Sequence, residues 1–97
     1  FRYTLAVKRR LVALDTSDLD RLFDLAVSEN TAGRALERLG RLDESAAHYA
    51  ADLAIKRRLV ARDAANTTWA MGHSTALSYV AGIDELRGRT ALAIARL

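Results

Sequence analysis

Oxygen-bearing side chains crowd one stretch near the start of this 97-residue chain, at Asp15, Ser17, Asp18 and Asp20. Closely spaced carboxylate and hydroxyl ligands are a property of calcium-binding loops. Such a loop also needs a glycine at its sixth position and a bidentate glutamate at its twelfth, where this chain has Asp20 and Ala26. The stretch therefore predicts no calcium site, and we interpret Ser17 or Asp18 as the N-cap of the helix that follows.

The two histidines do not form a metal pair. Neither His48 nor His73 is followed one turn later by a second histidine, so the helical His-Glu-x-x-His arrangement is absent. We expect His48 at the surface and His73 in helix packing. The chain also lacks cysteine, a Gly-x-Ser-x-Gly elbow and a glycine-rich phosphate loop. We therefore expect no enzyme, with no catalytic residues, no cofactor and no metal.

Two basic triplets raise the possibility of nucleic-acid binding: Lys8-Arg9-Arg10 and Lys56-Arg57-Arg58. Successive helical residues differ by about 100° in direction, so each triplet fans around its helix instead of forming a phosphate-binding track. No aromatic residues for base stacking lie beside them. The net charge of +3 permits an acidic partner without requiring one. Solvated charge paired with Asp52 or Asp63 is favoured, and nucleic acid is the less favoured alternative.

The composition predicts helices as the elements that carry these residues. Apolar residues make up 51% of the chain, there is no proline, and glycine occurs five times; such a composition favours long helices. No apolar run reaches the roughly 20 residues that span a bilayer. Asn66 is the expected N-cap of the fourth helix, and Gly40 and Gly88 are expected to end the second and fourth. The five predicted helices are Phe1–Leu14, Leu19–Leu39, Asp43–Arg62, Thr67–Arg87 and Thr90–Leu97.

Helical spacing of apolar residues predicts which sides of three helices are buried. The predicted core positions in chain order are Leu19, Leu22, Phe23, Ala26, Val27, Leu36, Leu39, Ala46, Tyr49, Leu53, Ile55, Leu59, Val60, Trp69, Met71, Leu77, Val80, Ala81 and Ile83. The predicted loops have only two to four residues, so consecutive helices are expected to be antiparallel neighbours.

The chain also repeats itself. LAVKRRLVALD at Leu5–Asp15 returns as LAIKRRLVARD at Leu53–Asp63, an offset of 48 residues. The register continues without a gap, so that Gly40 corresponds to Gly88. Self-similarity at this period is typical of a stacked array of one helical unit, which cannot bury its apolar face alone.

One stretch of this repeat resembles the second helix of a tetratricopeptide repeat (TPR). The family's spacing of glycine, large apolar, small, aromatic, small and leucine positions falls on Gly40, Leu42, Ser45, Tyr49, Asp52 and Leu53. Upstream, Gly33 occupies the family's first-helix glycine, flanked by Ala32 and Leu36. The wider stretch from Asp24 to Trp69 looks like the long-helix bacterial variety, and the resemblance covers nearly the whole chain. The chain departs from the pattern at Asp52, where a small apolar residue is usual, in lacking a closing proline, and in the second copy, where Ala81 and Thr90 replace the glycine and the large apolar residue.

The resemblance implies an all-α, right-handed superhelix of antiparallel helix pairs, an α-solenoid. Residues 1–97 would then form one segment: 1–17 is the second helix of a preceding repeat, 18–65 a complete repeat and 66–97 a truncated one. Another antiparallel helical array or a plain bundle is the alternative. The first helix of each pair would line a concave groove. The groove residues that the resemblance implies are Val27, Asn30, Thr31, Arg34, Glu37, Arg38, Thr75, Ser78, Tyr79, Gly82, Glu85 and Leu86.

The function implied by resemblance is a non-catalytic, cytoplasmic scaffold that binds a protein, as a peptide or helix, in this groove. The amide of Asn30 would bond a peptide backbone, Arg34 would grip a carboxylate, and Tyr79 would offer rigid contact area. The alternative for these residues is a merely solvated face. A second functional hypothesis is self-association into a homo-oligomer through apolar terminal surfaces, at Leu5, Val12 and Leu14 and at Leu92, Ile94 and Leu97.

Overall fold

A computed structural model describes residues 19–96 as three helices: α1 (Leu19–Arg38), α2 (Leu42–Arg62) and α3 (Thr67–Ala95). Within this range there is no strand, and consecutive helices pack on one another, so the all-α prediction is confirmed. The predicted helix Phe1–Leu14, the proposed caps Ser17 and Asp18, and the triplet Lys8-Arg9-Arg10 lie outside the described residues.

Gly40 ends α1, the second of the predicted helices, as expected. The backbone at this position adopts a left-handed conformation, which favours glycine. Its φ is 75°, a value that a residue with a Cβ adopts only at a cost. The amide of Arg41 donates to the carbonyl of Leu36 at 2.9 Å, and the amide of Gly40 donates to that of Glu37 at 3.0 Å. This pair of bonds is the Schellman motif, which satisfies the last carbonyls of a helix and reverses the chain.

The second connection is capped from both sides. The backbone amide of Asp63 donates to Leu59 at 3.2 Å, and its carboxylate accepts from the amide of Ala65. Asn66 then accepts a hydrogen bond from the amide of Trp69 at 3.1 Å, so its predicted role as N-cap of α3 is confirmed.

The predicted stop at Gly88 is wrong. α3 continues through this glycine to Ala95, so the predicted break before Thr90 does not exist. A glycine permits a positive φ but does not impose one. After Gly40 the chain reverses to begin α2, whereas after Gly88 come helix-forming residues, and nothing lies within 4 Å of the Cβ position. The same residue type at equivalent positions therefore has opposite structural effects.

Contacts between α1 and α2 show the relative direction of these two helices. The hydroxyl of Ser45 donates to the carbonyl of Gly33 at 2.7 Å, and seven residues further along α2, Asp52 meets the amide of Asn30 at 3.4 Å. The contact point thus moves toward the start of α1 as it advances along α2. The two helices are antiparallel, as their short connection predicts.

The second helix pair follows the same rule. Asp43, at the start of α2, accepts from Arg87 at 3.0 Å, while Tyr49 faces Tyr79 with ring centroids 5.1 Å apart. α1 and α3 therefore run parallel to each other, both against α2. α3 has 29 residues and α2 has 21, so α3 is about 12 Å longer at 1.5 Å per residue. The part of α3 after Arg87 extends past the start of α2.

The apolar core lies where the start of α1, the end of α2 and the start of α3 meet. A buried cluster of Leu22, Leu25, Ala32 and Leu59 is flanked by the half-buried Leu19, Phe23, Ile55 and Trp69. The predicted core positions Ala26, Leu36, Tyr49, Leu53 and Ile83 are also buried.

Five predicted core positions are exposed instead: Val27, Leu39, Met71, Leu77 and Ala81. Leu39 is 71% exposed because it lies in the reversal after α1, and Met71 of α3 is 69% exposed. Apolar periodicity marks a wider stripe on each helix than one neighbouring helix covers.

Candidate functional site

An open depression of about 280 Å³ lies between the end of α1 and the middle of α3. One wall is Glu37 of α1. The other walls come from α3, whose residues Ser78, Tyr79, Gly82 and Ile83 recur one turn apart and so share one side of the helix. The depression exists because α1 and α3 lie side by side on α2 and a space remains between them at this level.

Tyr49 of α2 lies beneath the depression and joins its two walls. Its side chain is 1% exposed, its ring packs against that of Tyr79 at a tilt of 36°, and its hydroxyl donates to Oε1 of Glu37 at 2.9 Å. Burial, together with the hydrogen bond and charge of Glu37, raises the pKa of Tyr49 to about 12. The phenol is therefore neutral at physiological pH and remains a donor that holds the Glu37 carboxylate at the rim.

Gly33 is what allows Tyr49 to occupy this position. A Cβ at Gly33 would lie 2.6 Å from two carbon atoms of the Tyr49 ring, closer than van der Waals contact allows. The same glycine presents its carbonyl to the hydroxyl of Ser45, which is fully buried. The absence of a side chain on α1 thus lets α2 approach closely enough for its tyrosine to reach the groove.

Of the twelve groove residues that the family resemblance implied, the depression brings together four: Glu37, Ser78, Tyr79 and Gly82. The remaining eight lie outside its lining. Asn30 is half-buried and donates to Asp52, and the hydroxyl of Thr31 is bonded to the backbone of Val27. Arg34 and Arg38 are exposed on α1, and Glu85 is exposed on α3, where it pairs with Arg89.

A buried polar cluster between α1 and α2 was not predicted from the sequence. Glu29 is 2% exposed and its Oε2 lies 2.7 Å from Nδ1 of His48. Asp52 is fully buried, and its Oδ1 lies 3.0 Å from Nζ of Lys56, which is 6% exposed. The expectation that His48 is a surface residue is thereby corrected: it is half-buried and bonded across the helix interface.

Burial and its partners act in opposite directions on Asp52. Desolvation raises the pKa of this carboxyl above its ordinary value, while Lys56 and the amide of Asn30 lower it and the charge of Glu29 raises it further. The cluster spans the helix interface instead of opening onto a cleft. The only sequence signal for it is the spacing of Asp52 and Lys56, one turn apart on the buried side of α2.

Lys56 also changes the interpretation of the second basic triplet. Its ammonium group is buried against Asp52, so only Arg57 and Arg58 of the three are exposed. The predicted pairing with Asp52 is confirmed for Lys56, but the prediction that this charge is solvated is wrong, because both side chains are buried.

Within residues 19–96, no group of three or more His, Cys, Asp or Glu side chains is arranged to hold a metal ion. In the same range, no helix has the length and apolarity needed to cross a membrane. No protein-family model matches the chain, and no match was found among curated proteins or among solved structures.

Proposed function

We propose that this chain is a non-catalytic protein-interaction module that binds an extended peptide or a helix of another protein in the groove between α1 and α3. The observation that supports this most directly is the open depression of about 280 Å³ with a half-buried tyrosine in its wall. Tyrosine combines a large apolar area with few rotatable bonds, which is why it is frequent in binding surfaces. In the proposed array, the helices would continue the right-handed stacking of tetratricopeptide-like repeats.

The surroundings of the depression suit a chain-like ligand. Glu37 on α1 and Ser78 on α3 line the depression together with Tyr79, so polar groups border the tyrosine from both helices. A groove of this kind offers apolar contact in its centre and hydrogen bonds at its rim, which is the usual anatomy of a protein interface.

The test selects peptides from a random display library against the full chain and then fills the groove. Gly82→Trp places an indole in the depression, where nothing lies within 4 Å of the Cβ position. Gly88→Trp is the matched control, because it is equally open and lies on the same helix, about 1.7 turns further along. We expect Gly82→Trp to weaken the selected peptides at least about tenfold, or about 1.4 kcal/mol, and Gly88→Trp to leave them unchanged.

A selection without enriched peptides would argue against the proposal, and so would equal binding by both tryptophan variants. The circular dichroism spectra of the two variants should match that of the wild type. This comparison separates a filled groove from a misfolded helix.

A second candidate function is self-association through the far end of α3. Leu92 is 59% exposed and Ile94 is 65% exposed, in the part of the helix that extends past α2. Exposed apolar side chains in one short segment favour association. The expected signature is a solution mass that grows with concentration in the wild type and stays monomeric in Leu92→Glu. A concentration-independent monomer in the wild type would remove this candidate.

A further inference from the structure

The depression between Glu37 and Tyr79 combines a carboxylate, an aromatic ring and a small volume. From this combination we infer that it binds one arginine side chain of the partner peptide. The inference rests on the proposed function and deepens it by naming the chemistry of the ligand. It is independent of the implied roles of Asn30 and Arg34, because neither residue lines the depression.

The first argument is charge. Exposed carboxylates elsewhere on α2 and α3 are paired with cations: Asp43 with Arg87, and Glu85 with Arg89. Glu37 accepts a hydrogen bond from Tyr49 but forms no ion pair in the part of the chain that the structure describes. Its carboxylate is therefore available to a cation that comes from outside the chain.

The second argument is preorganisation. The hydroxyl of Tyr49 donates to Oε1 of Glu37 from a fully buried position, which restricts where the carboxylate can point. This leaves Oε2 and the second lone pair of Oε1 for a ligand. A planar guanidinium, with its fork of N–H donors, matches the two oxygens of one carboxylate better than a spherical ammonium does.

The third argument is the aromatic wall. Tyr79 lines the depression beside Glu37 and is supported from below by the ring of Tyr49 at 5.1 Å. A guanidinium bound to Glu37 would lie near this ring. Arginine stacks on aromatic rings and gains a cation–π interaction there, which adds to the attraction of the carboxylate.

The fourth argument is size. Pockets for small organic ligands usually enclose about 300–1,000 Å³. The depression, at about 280 Å³, lies below that range and is open to solvent. It suits one long side chain whose backbone stays outside. The exposed Arg34 and Arg38 lie near Glu37 in the sequence of α1, and their positive charge disfavours the binding of a free cation. The arginine of the partner peptide therefore also needs contacts between the peptide and the groove.

The experiment is a titration followed by backbone amide NMR of the full chain, since the method detects millimolar affinities. The probes are two blocked pentapeptides, Ala-Ala-Arg-Ala-Ala and the same peptide with citrulline in the centre. Citrulline has nearly the shape of arginine without its charge. Each peptide is titrated against the wild type, Glu37→Gln and Glu44→Gln.

The three proteins form a matched set. In Glu37→Gln the side-chain oxygen still accepts from Tyr49, so the local structure is retained while the charge is lost. Glu44→Gln removes the same charge from an exposed position beside Arg41, outside the depression. Tyr79→Leu serves as an independent variant that removes the aromatic wall and keeps the carboxylate.

We expect the arginine peptide to shift the amides of Glu37 and of residues 78–83, with an affinity about tenfold above that of the citrulline peptide. This preference should vanish in Glu37→Gln, fall in Tyr79→Leu and persist in Glu44→Gln. These results together would support the inference.

Three other results would overturn the inference. Equal binding of both peptides in the groove, or the same arginine preference in Glu37→Gln, would refute the arginine site and leave the proposed peptide groove standing. No shift with either peptide would also refute the arginine site. The display selection then decides separately whether the groove binds peptides of another kind.

Discussion

α1 and α3 begin 48 residues apart, at Leu19 and Thr67, and so occupy equivalent places in the sequence repeat, yet they are packed differently. Eight of the 20 residues of α1 are buried, whereas two of the 29 residues of α3 are. Equivalent positions explain part of this contrast. Leu25 of α1 corresponds to His73 in α3, and Leu36 corresponds to Asp84. Similar register in a repeat therefore does not imply a similar environment, because single replacements decide which side of a helix is apolar.

The contrast extends to the polar residues. α1 and α2 enclose Glu29 and the Asp52–Lys56 ion pair, while the ion pairs of α3, Arg87 with Asp84 and Arg89 with Glu85, lie at the surface. Buried charges are costly to separate, and exposed ones contribute little. The first helix pair is thus the part of the molecule where a single substitution should matter most.

The largest expected effect is on the buried ion pair. Lys56→Met should destabilise the fold by about 3–5 kcal/mol at pH 7, because it leaves Asp52 charged and buried without a cation. The double variant Asp52→Leu/Lys56→Met should recover most of that loss, since both charges are gone. Urea unfolding of Asp52→Leu, Lys56→Met, the double variant and wild type gives the coupling energy. Additive single effects would contradict the assignment.

The same pair gives a pH test. The folded pKa of Asp52 is raised by burial, so its contribution to stability is present at pH below its unfolded value of 3.8 and is lost as pH rises through the folded pKa. Protonation of Asp52 relieves the unpaired charge in Lys56→Met. The difference in unfolding free energy between Lys56→Met and wild type should therefore shrink as the pH is lowered. A deficit independent of pH would indicate that packing, not charge, is lost.

The next effect concerns apolar packing in the two equivalent helices. Leu22→Ala in α1 should cost about 2–5 kcal/mol, because the side chain is 2% exposed within the main cluster. Leu92→Ala in α3 should cost less than about 0.5 kcal/mol, since that leucine is 59% exposed. Thermal and urea unfolding measure both. If Leu22→Ala does not fold, the volume-conserving Leu22→Met, expected to cost under about 1.5 kcal/mol, provides the comparison. Similar costs at both sites would contradict the contrast between the helices.

A smaller effect is expected from overpacking at Gly33. Gly33→Ala should destabilise the fold by about 1–3 kcal/mol, because the new methyl group would lie 2.6 Å from the Tyr49 ring. The variant should also loosen the contact between Tyr49 and Tyr79, which near-ultraviolet circular dichroism detects. Gly82→Ala is the control, since its Cβ would meet no atom within 4 Å. A stable Gly33→Ala with an unchanged spectrum would show that the close approach is unnecessary.

The smallest pair of effects compares the two equivalent glycines. Gly40→Ala should cost about 1–2 kcal/mol, because its φ of 75° is unfavourable for any residue with a Cβ. Gly88→Ala should instead stabilise the fold by about 0.5–1 kcal/mol, since it replaces a glycine inside a helix with a better helix former. Opposite signs in urea unfolding would confirm that α3 is continuous. A loss of stability in both variants would support a chain reversal at Gly88.

Much of the helix architecture follows from local sequence. Asn66 carries an N-cap side chain, Gly40 supplies the residue type that adopts a positive φ at least cost, and short connections force antiparallel neighbours. These features depend on residues close together in the sequence, so they can be predicted without knowledge of the tertiary structure. Gly88 shows the limit of such reasoning. A glycine ends a helix when the residues after it begin a new helix that packs back on the first, and this depends on the tertiary fold.

Only part of the candidate site could be predicted from the sequence. Glu37, Ser78 and Tyr79 were assigned to a groove through a family resemblance, and the structure brings them around one depression. Ile83 was predicted for the core and also forms part of the wall. That Tyr49 supports the site from α2 was not predicted, because its hydrogen bond and ring contact join residues 12 and 30 positions away.

The sequence by itself determined the helical class, the ends of the first loop and the repeat register, since these depend on backbone preferences and on residues close in the chain. Only the tertiary structure decided that Asp52, Lys56 and Glu29 are buried. Their charges alone predict exposure, and burial becomes tolerable when partners from another turn or another helix compensate the lost hydration. The depression at Tyr79 was likewise decided by packing, because a space between two helices belongs to neither helix alone.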